Sequence, residues 1–343
     1  MVDASEAPFR VLTRRHGTHL TYSPMMYSPV FATSAKHRQN AHSVAPEDRP
    51  LIVQFCGTDA ETVVTAAKFV EHECDGVDLN MGCPQSCARK HGYGAFLPDQ
   101  PELVYSIVNA LHQNIAVPVT CKIRLNPDPD RTQSLEKTID FATKLQAHGC
   151  QVLTVHGRTR DMKGASAPHA DWAAIREIKR HLNIPVIANG SIASYADIEP
   201  CMQESTADAV MAAYSMIANP YLFENIDLRG DHLGQLRAAR EYIEICQTFP
   251  VGRKFQDFHI FPLLRGPFDE WPDLIRAYSK AKTHEQLTIL FDEVERRLKA
   301  HQGPLPSKPK TVDRSSRKRG ALQQTVLEME DDSLNCFSEE CSP

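Results

Sequence analysis

Asp78-Leu79-Asn80-Met81-Gly82-Cys83-Pro84-Gln85 ends the apolar run Gly76-Val77-Asp78-Leu79 and leads into Ser86-Cys87-Ala88-Arg89-Lys90-His91-Gly92-Tyr93-Gly94. A buried structural thiol needs neither a glycine before it nor a proline after it. Pro84 biases Cys83 toward extended or polyproline geometry. Gly82 permits a backbone that other residues resist. The trio reads as a device for aiming one side chain from the end of a strand.

Apolar, β-branched runs like this one recur along the chain: Leu20 to Met25, Leu51 to Phe55, Gly76 to Leu79, Val117 to Leu125, Val152 to Val155, Ile184 to Ala188 and Ala209 to Ala213. Their spacing suits a strand plus a crossover helix. Continuous apolarity fits parallel strands buried on both faces. Helical patterns lie between them. Ser5 is read as capping a helix through Phe9 and Leu12 to Gly17. Thr58 is read as opening Asp59 to Glu73, and Ser134 as opening Leu135 to His148. Trp172, Ile175, Ile178 and Leu182 keep helical spacing.

Polar residues cluster just after the strands: Gln54, Asn80 with Cys83, Lys122 with Arg124, His156 with Arg158, and Asn189. A (β/α)8 barrel builds its site from such strand ends, whereas a doubly wound sheet uses one switch point. Five polar strand ends favour the barrel. Seven strands are counted; the eighth would precede Met1, so a chain lacking its first strand is expected.

Beyond about residue 227 no strand signal remains. Leu236, Ala239, Ile243 and Cys246 share a helical stripe, as do Leu287, Leu290, Phe291, Val294 and Leu298. The expected organisation is an α/β barrel over 1–226, a helical domain over 227–300, and a disordered charged tail over 301–343.

The 343 residues carry a net charge of −5, with no global basic footprint, so nucleic-acid binding would need a local patch. Ten scattered cysteines without a Cys-x-x-Cys pair disfavour a zinc module and suit reduced thiols inside a cell. No run is long enough to span a membrane.

A cysteine in such a chain is usually a small buried hydrophobe, but Cys83 is set apart by its neighbours and strand-end position. An unperturbed thiol has a pKa near ~8.5, so Cys83 could serve as a general acid, or as a nucleophile if a neighbour lowered that value. Lys122 and Arg124 alternate to the same side of a strand. Two cations in a barrel mouth need an anion, an electron-rich ring or a structural ion pair. Gly157 beside His156 is read as leaving room for a flat ligand. Asn189-Gly190-Ser191 and Ala213-Tyr214-Ser215 follow the last two strands, where such barrels hold phosphate.

These stretches together resemble the tRNA dihydrouridine synthases. The resemblance is carried by Met1-Val2-Asp3-Ala4-Ser5 with Pro8-Phe9-Arg10, Val53-Gln54-Phe55, Asp78-Leu79-Asn80 with Gly82-Cys83-Pro84, and Gly92-Tyr93-Gly94-Ala95-Phe96-Leu97. It continues through Cys121-Lys122-Ile123-Arg124, Val155-His156-Gly157-Arg158-Thr159, Ala188-Asn189-Gly190 and Asn219-Pro220 with Leu222-Phe223. Tyr93 and the wording around Gln85 look most like the eukaryotic subfamily acting on D-loop positions 16 and 17.

The resemblance implies an FMN-binding TIM barrel that reduces a uracil ring in tRNA, with NADPH or NADH as reductant. It implies Cys83 as proton donor to C5. It also implies FMN contacts from Met1, Val2, Gln54, Lys122, His156, Asn189, Gly190, Ser191, Ala213 and Tyr214. Asn80 and Arg124 would face the uridine or its phosphate. No metal is implied. A monomer without a membrane anchor, in the cytoplasm or nucleus, is expected. Tyr214 and Ser215 depart from the family, which has a charged residue and a glycine there. The resemblance makes 227–300 a helical tRNA-binding domain, yet this segment carries twelve Lys or Arg against twelve Asp or Glu, without the family's basic stretch. Two other readings are a different FMN barrel of dihydroorotate-dehydrogenase type and a non-catalytic tRNA-binding relative.

Overall fold

The computed structural model describes residues 4–164, 166–301, 303 and 305. The expectations for Met1 and Val2, and nearly all of the tail expected over 301–343, lie outside the described residues. Eight parallel strands form one curved sheet: β1 (Thr21–Tyr22), β2 (Met26–Tyr27), β3 (Leu51–Cys56), β4 (Gly76–Met81), β5 (Val119–Leu125), β6 (Val152–Thr159), β7 (Val186–Asn189) and β8 (Ala209–Met211). Their order is β1-β3-β4-β5-β6-β7-β8, with β2 also pairing β3. β1 and β2 therefore occupy one barrel position, interrupted by Ser23-Pro24-Met25. Pro24 has no N–H to give to a ladder. The seven positions match the sequence reading of a TIM-like barrel. Among the described residues no ladder joins β1 to β8. β8 is also the least covered strand, while β3, β4 and β7 are buried at every residue.

Helices cover the outside of the sheet: α1 (Ala7–Arg15), α2 (Ser28–Thr33), α3 (Ala35–Ala41), α4 (Ala60–Val70), α5 (Ser86–His91), α6 (Pro101–Asn114), α7 (Arg131–Ala147), α8 (Trp172–Arg180), α9 (Ile198–Ser205) and α10 (Tyr214–Ala218). Each long helix buries one apolar stripe. On α8 the stripe is Trp172, Ile175 and Ile178, each worth roughly 1.5–3 kcal/mol in burial. The end of the chain adds α11 (His232–Thr248), α12 (Arg253–Leu263), α13 (Arg265–Glu270), α14 (Pro272–Lys280) and α15 (His284–Ala300).

Three expected N-caps shift. α1 is preceded by Glu6, which makes no capping bond. Its carboxylate instead accepts from the Tyr242 hydroxyl of α11 at 2.7 Å and meets His259 Nε2 of α12 at 3.1 Å. α4 is capped by Asp59, not Thr58. α7 is capped by Asp130, whose side chain accepts from Gln133 N–H. Ser134 lies inside that helix and donates to Asn126 O at 2.6 Å, pinning the loop after β5.

Candidate active site

The inward residues of the sheet form a continuous row through the ladder. Gln54 stands opposite Asp78, Asn80 opposite Lys122, Arg124 opposite His156, and His156 opposite Asn189. All of them except the fully buried Asp78 open into a cavity of about 1180 Å³ that also touches Cys83, Arg158, Gly190, Ser191, Ala213 and Tyr214. Ten of the expected site residues that lie among those described therefore share one cavity with Cys83 and Arg158.

Cys83 is held from two sides. The Asn80 carbonyl oxygen Oδ1 accepts from both Gly82 N–H and Cys83 N–H at 3.0 Å. From the other side, Ala95 N–H donates to Cys83 O at 2.9 Å. Gly94 has φ +60°, and a Cβ there would stand 2.7 Å from Cys83 O and 3.1 Å from Cys83 Cβ. The glycine that makes room for this cysteine is therefore Gly94. Gly82 is not left-handed, and a Cβ there would meet nothing closer than 3.7 Å. This corrects the expectation that Gly82 supplies special backbone freedom. The second thiol of the loop, Cys87, receives the Tyr93 hydroxyl at 3.4 Å.

Lys122 is half-buried and reaches the cavity, where no described side chain accepts from it. Burial and neighbouring Arg124 push its pKa down to about 8. Burial, together with Lys122, Arg124 and Arg158, presses His156 far below its ordinary value. Its ring is therefore neutral at physiological pH, and Nε2 lies 3.4 Å from the Arg158 guanidinium. Arg124 is a brace: Nε donates to Gly82 O at 2.7 Å and Nη1 to Thr159 O at 3.0 Å. It ties the cysteine loop to the end of β6.

Gly157 makes no room for a ligand. Its missing Cβ accommodates the backbone of Asp171, 2.9 Å away, and Gly157 O accepts from Asp171 N–H. Gly190 is the open position: at φ +107° it lies under His156, whose Cδ2 would be 2.7 Å from a Cβ. Ser191 follows at φ 63°, a conformation that costs a non-glycine residue about 1–3 kcal/mol. Its hydroxyl oxygen offsets the strain by accepting from Arg158 Nη2 at 2.9 Å and Ala170 N–H at 2.8 Å. Asn189 Nδ2 donates to Met211 O at 2.9 Å, joining β7 to β8. The Tyr214 side chain is 75% exposed and does not block the cavity, and Ser215 donates to Ile192 O.

This donor set fits a flat, electron-rich ring with a phosphate arm. A cavity-facing ammonium lacks an acceptor, a neutral imidazole lies over a glycine, and two successive left-handed residues border small side chains. Arg158 and Asp78 were not singled out as site residues. Strand alternation from His156 and from Asn80 would have pointed both to the inner face.

The rim beside Cys83 is cationic. Arg89, Lys90 and His91 end α5 exposed, and none of them forms an ion pair among the described residues. Arg89 and Arg160 flank the Phe96 ring at 5.5 and 4.9 Å, and Arg160 is itself paired with Asp99 at 2.7 Å. In the helical region, by contrast, Arg240, Arg253, Arg296, Arg297 and Lys299 are each paired with carboxylates.

A family profile described as Dihydrouridine synthase matches residues 1–249. A tRNA-dihydrouridine(16/17) synthase-like protein of Mus musculus is 40% identical over 299 residues, covering 87% of this chain and 61% of its own length. The tRNA-dihydrouridine(16/17) synthase of Saccharomyces cerevisiae is 41% identical over 284 residues, covering 78% of this chain and 64% of its own. A tRNA-dihydrouridine(20a/20b) synthase-like protein of Mus musculus is 36% identical over 262 residues, 76% of either chain. The chain thus spans somewhat less than two thirds of the first two relatives.

Proposed function

The chain belongs to the dihydrouridine synthase family, and we propose on that premise that it reduces the C5–C6 bond of a uridine in the tRNA D-loop. Residues 1–226 are the catalytic unit and 227–300 a helical unit that packs on it. The relatives' names support positions 16/17 as the target. NADPH or NADH is the reductant, and FMN is the group that the cavity would hold.

FMN, when bound, supplies hydride to C6 of the uracil. Lys122 would lie against its electron-rich ring edge, with neutral His156 beside it. Gly190, Ser191 and Ala213 would hold its phosphate, and the outward Tyr214 would leave that approach open. The Cys83 thiol carries the proton that C5 receives, and the resulting thiolate recovers one from solvent. The bond between C5 and C6 thereby gains one hydride and one proton. A base in folded tRNA must leave its stack to reach this depth. The tRNA backbone then rests on the cationic rim of Arg89 and Lys90, beside His91.

The observation that carries the reading is Cys83 itself. A half-buried thiol is fixed by Asn80 and Gly94 over a cavity lined with Lys122 and His156. Incubating the protein with FMN, NADPH and an unmodified tRNA transcript, and digesting the RNA for mass spectrometry, tests it. Dihydrouridine is expected in the D-loop; its absence with fully flavinated protein contradicts the reading. A flavin dehydrogenase of small substrates would oxidise free dihydroorotate-like rings, or reduce orotate-like ones with NADPH, without tRNA, and a binder would retain tRNA without product.

A further inference from the structure

We propose that Asp78 is a positioning residue for Cys83, acting through Gln54 and Asn80. The proposal rests on the reading of Cys83 as proton donor.

The four residues form one chain of hydrogen bonds. Gly82 N–H and Cys83 N–H donate to Asn80 Oδ1 at 3.0 Å. Asn80 Nδ2 donates to Gln54 Oε1 at 2.9 Å. Gln54 Nε2 donates to Asp78 Oδ2 at 2.9 Å. Thr120 Oγ1 lies 2.6 Å from the other oxygen, Asp78 Oδ1. Asp78 is fully buried, Gln54 is 5% exposed and Asn80 7%.

The direction of every bond is forced. Backbone N–H groups only donate, so Asn80 must turn its carbonyl to the cysteine loop and its amide nitrogen to Gln54. Gln54 must then accept with Oε1 and donate with Nε2. That donor ends on a group able to accept at Oδ2, which Asp78 does in either protonation state. Strand geometry builds the same chain: Asp78 and Asn80 alternate to the inner face of β4, and Gln54 is the ladder partner of Asp78. Asp78 thereby fixes which way two buried amides point, and with them the turn that presents Cys83. Gln54 and Asn80, expected to face FMN and uridine, spend polar atoms on this chain.

Removing the carboxyl leaves Gln54 Nε2 buried without an acceptor, which costs enough to favour a flipped amide. A flipped Gln54 turns an amide nitrogen toward Asn80 Nδ2, and the support of the Cys83 turn is lost. Asp78→Asn preserves the polarity, because its carbonyl can accept from Gln54 while its amide donates to Thr120 Oγ1.

The test compares Asp78→Ala and Asp78→Asn with the native protein, each as purified with flavin. Iodoacetamide labelling of Cys83 and Cys87 is followed by peptide mass spectrometry. In Asp78→Ala the Cys83 labelling rate shifts several-fold while Cys87 is unchanged, and kcat for dihydrouridine falls roughly ten- to a hundredfold with KM for tRNA and flavin content retained. Asp78→Asn restores both. If Asp78→Ala does not fold, Gln54→Met breaks the chain at its middle and is expected to show the same Cys83-selective shift. Native labelling rates and kcat in folded Asp78→Ala or Gln54→Met overturn the proposal, as does an Asp78→Asn protein as impaired as the alanine variant. If the native protein makes no dihydrouridine, the functional reading fails, while the labelling comparison still decides the positioning chain.

Discussion

Around Cys83, single atoms decide the geometry. Gly94 is needed twice over, by its positive φ and by the 2.7 Å approach of Cys83 O. Gly94→Ala is therefore expected to lower stability by about 1–3 kcal/mol, while Gly82→Ala stays within roughly 0.5 kcal/mol of native. Thermal melts of the two variants check this; equal losses contradict it. The Lys122 side chain carries a second expectation. With its pKa pushed down to about 8, its charge is present below that value and fades as pH rises through it. FMN affinity, read by quenching of flavin fluorescence on the apo protein, should weaken across that window. Lys122→Met should bind more weakly and show no such inflection. An unchanged inflection in the variant would assign it to another group.

Each element was legible where one physical signal dominated. Parallel strands read as unbroken apolar runs, so all seven barrel positions were found, the poorly covered β8 included. Their polar ends, including Cys83, Lys122, His156 and Asn189, were found with them. Signals failed where two residues competed for one role. Glu6, not Ser5, precedes α1 and caps nothing, because its carboxylate is taken by a distant pair, Tyr242 and His259, that no local pattern announces. Asp130 outranks Ser134 because the serine is used by the β5 loop. Gly94 and Gly82 differ in a left-handed φ and in a close contact that both arise only on folding. The docking of α1 on α11 and α12 gives a further prediction. Burial would raise the Glu6 carboxyl, but His259 and the hydrogen bonds from His259 and Tyr242 outweigh it and hold the pKa below its usual value. A depressed carboxylate contributes stability above its unfolded pKa of about 4.3, and that contribution is lost as pH falls through the folded value. Glu6→Gln should therefore lower the melting temperature at neutral pH, and the gap should close in acid. A gap independent of pH would show that Glu6 acts through shape alone.

For the whole molecule, charge placement matters more than charge count. The chain is net acidic, and the cations of the helical region are largely neutralised by their neighbours. Arg160 is paired with Asp99 at 2.7 Å, so it is the exposed end of α5, with Arg89 and Lys90, that leaves a compact positive rim beside the thiol. If tRNA phosphates rest there, removing one phosphate-bound cation should reduce the slope of log affinity against log salt by about 0.7–0.9. Arg89→Ala with Lys90→Ala is expected to raise KM for tRNA and flatten that slope, with flavin content and NADPH oxidation unchanged. An unaltered slope would move the tRNA-binding surface elsewhere. Composition could not reveal this patch, because only the folded barrel sets the end of α5 beside Cys83 while carboxylates take up many of the other cations.

The central claim is that Cys83 gives the proton to a uridine of tRNA. It is tested most directly by reducing the flavinated protein with NADPH, mixing it with unmodified tRNA and following dihydrouridine in a single turnover. Cys83→Ala should be reduced by NADPH at the native rate, yet form dihydrouridine about a hundred- to ten-thousand-fold more slowly, while Cys87→Ala stays near native. Native-rate product formation by Cys83→Ala would contradict the account.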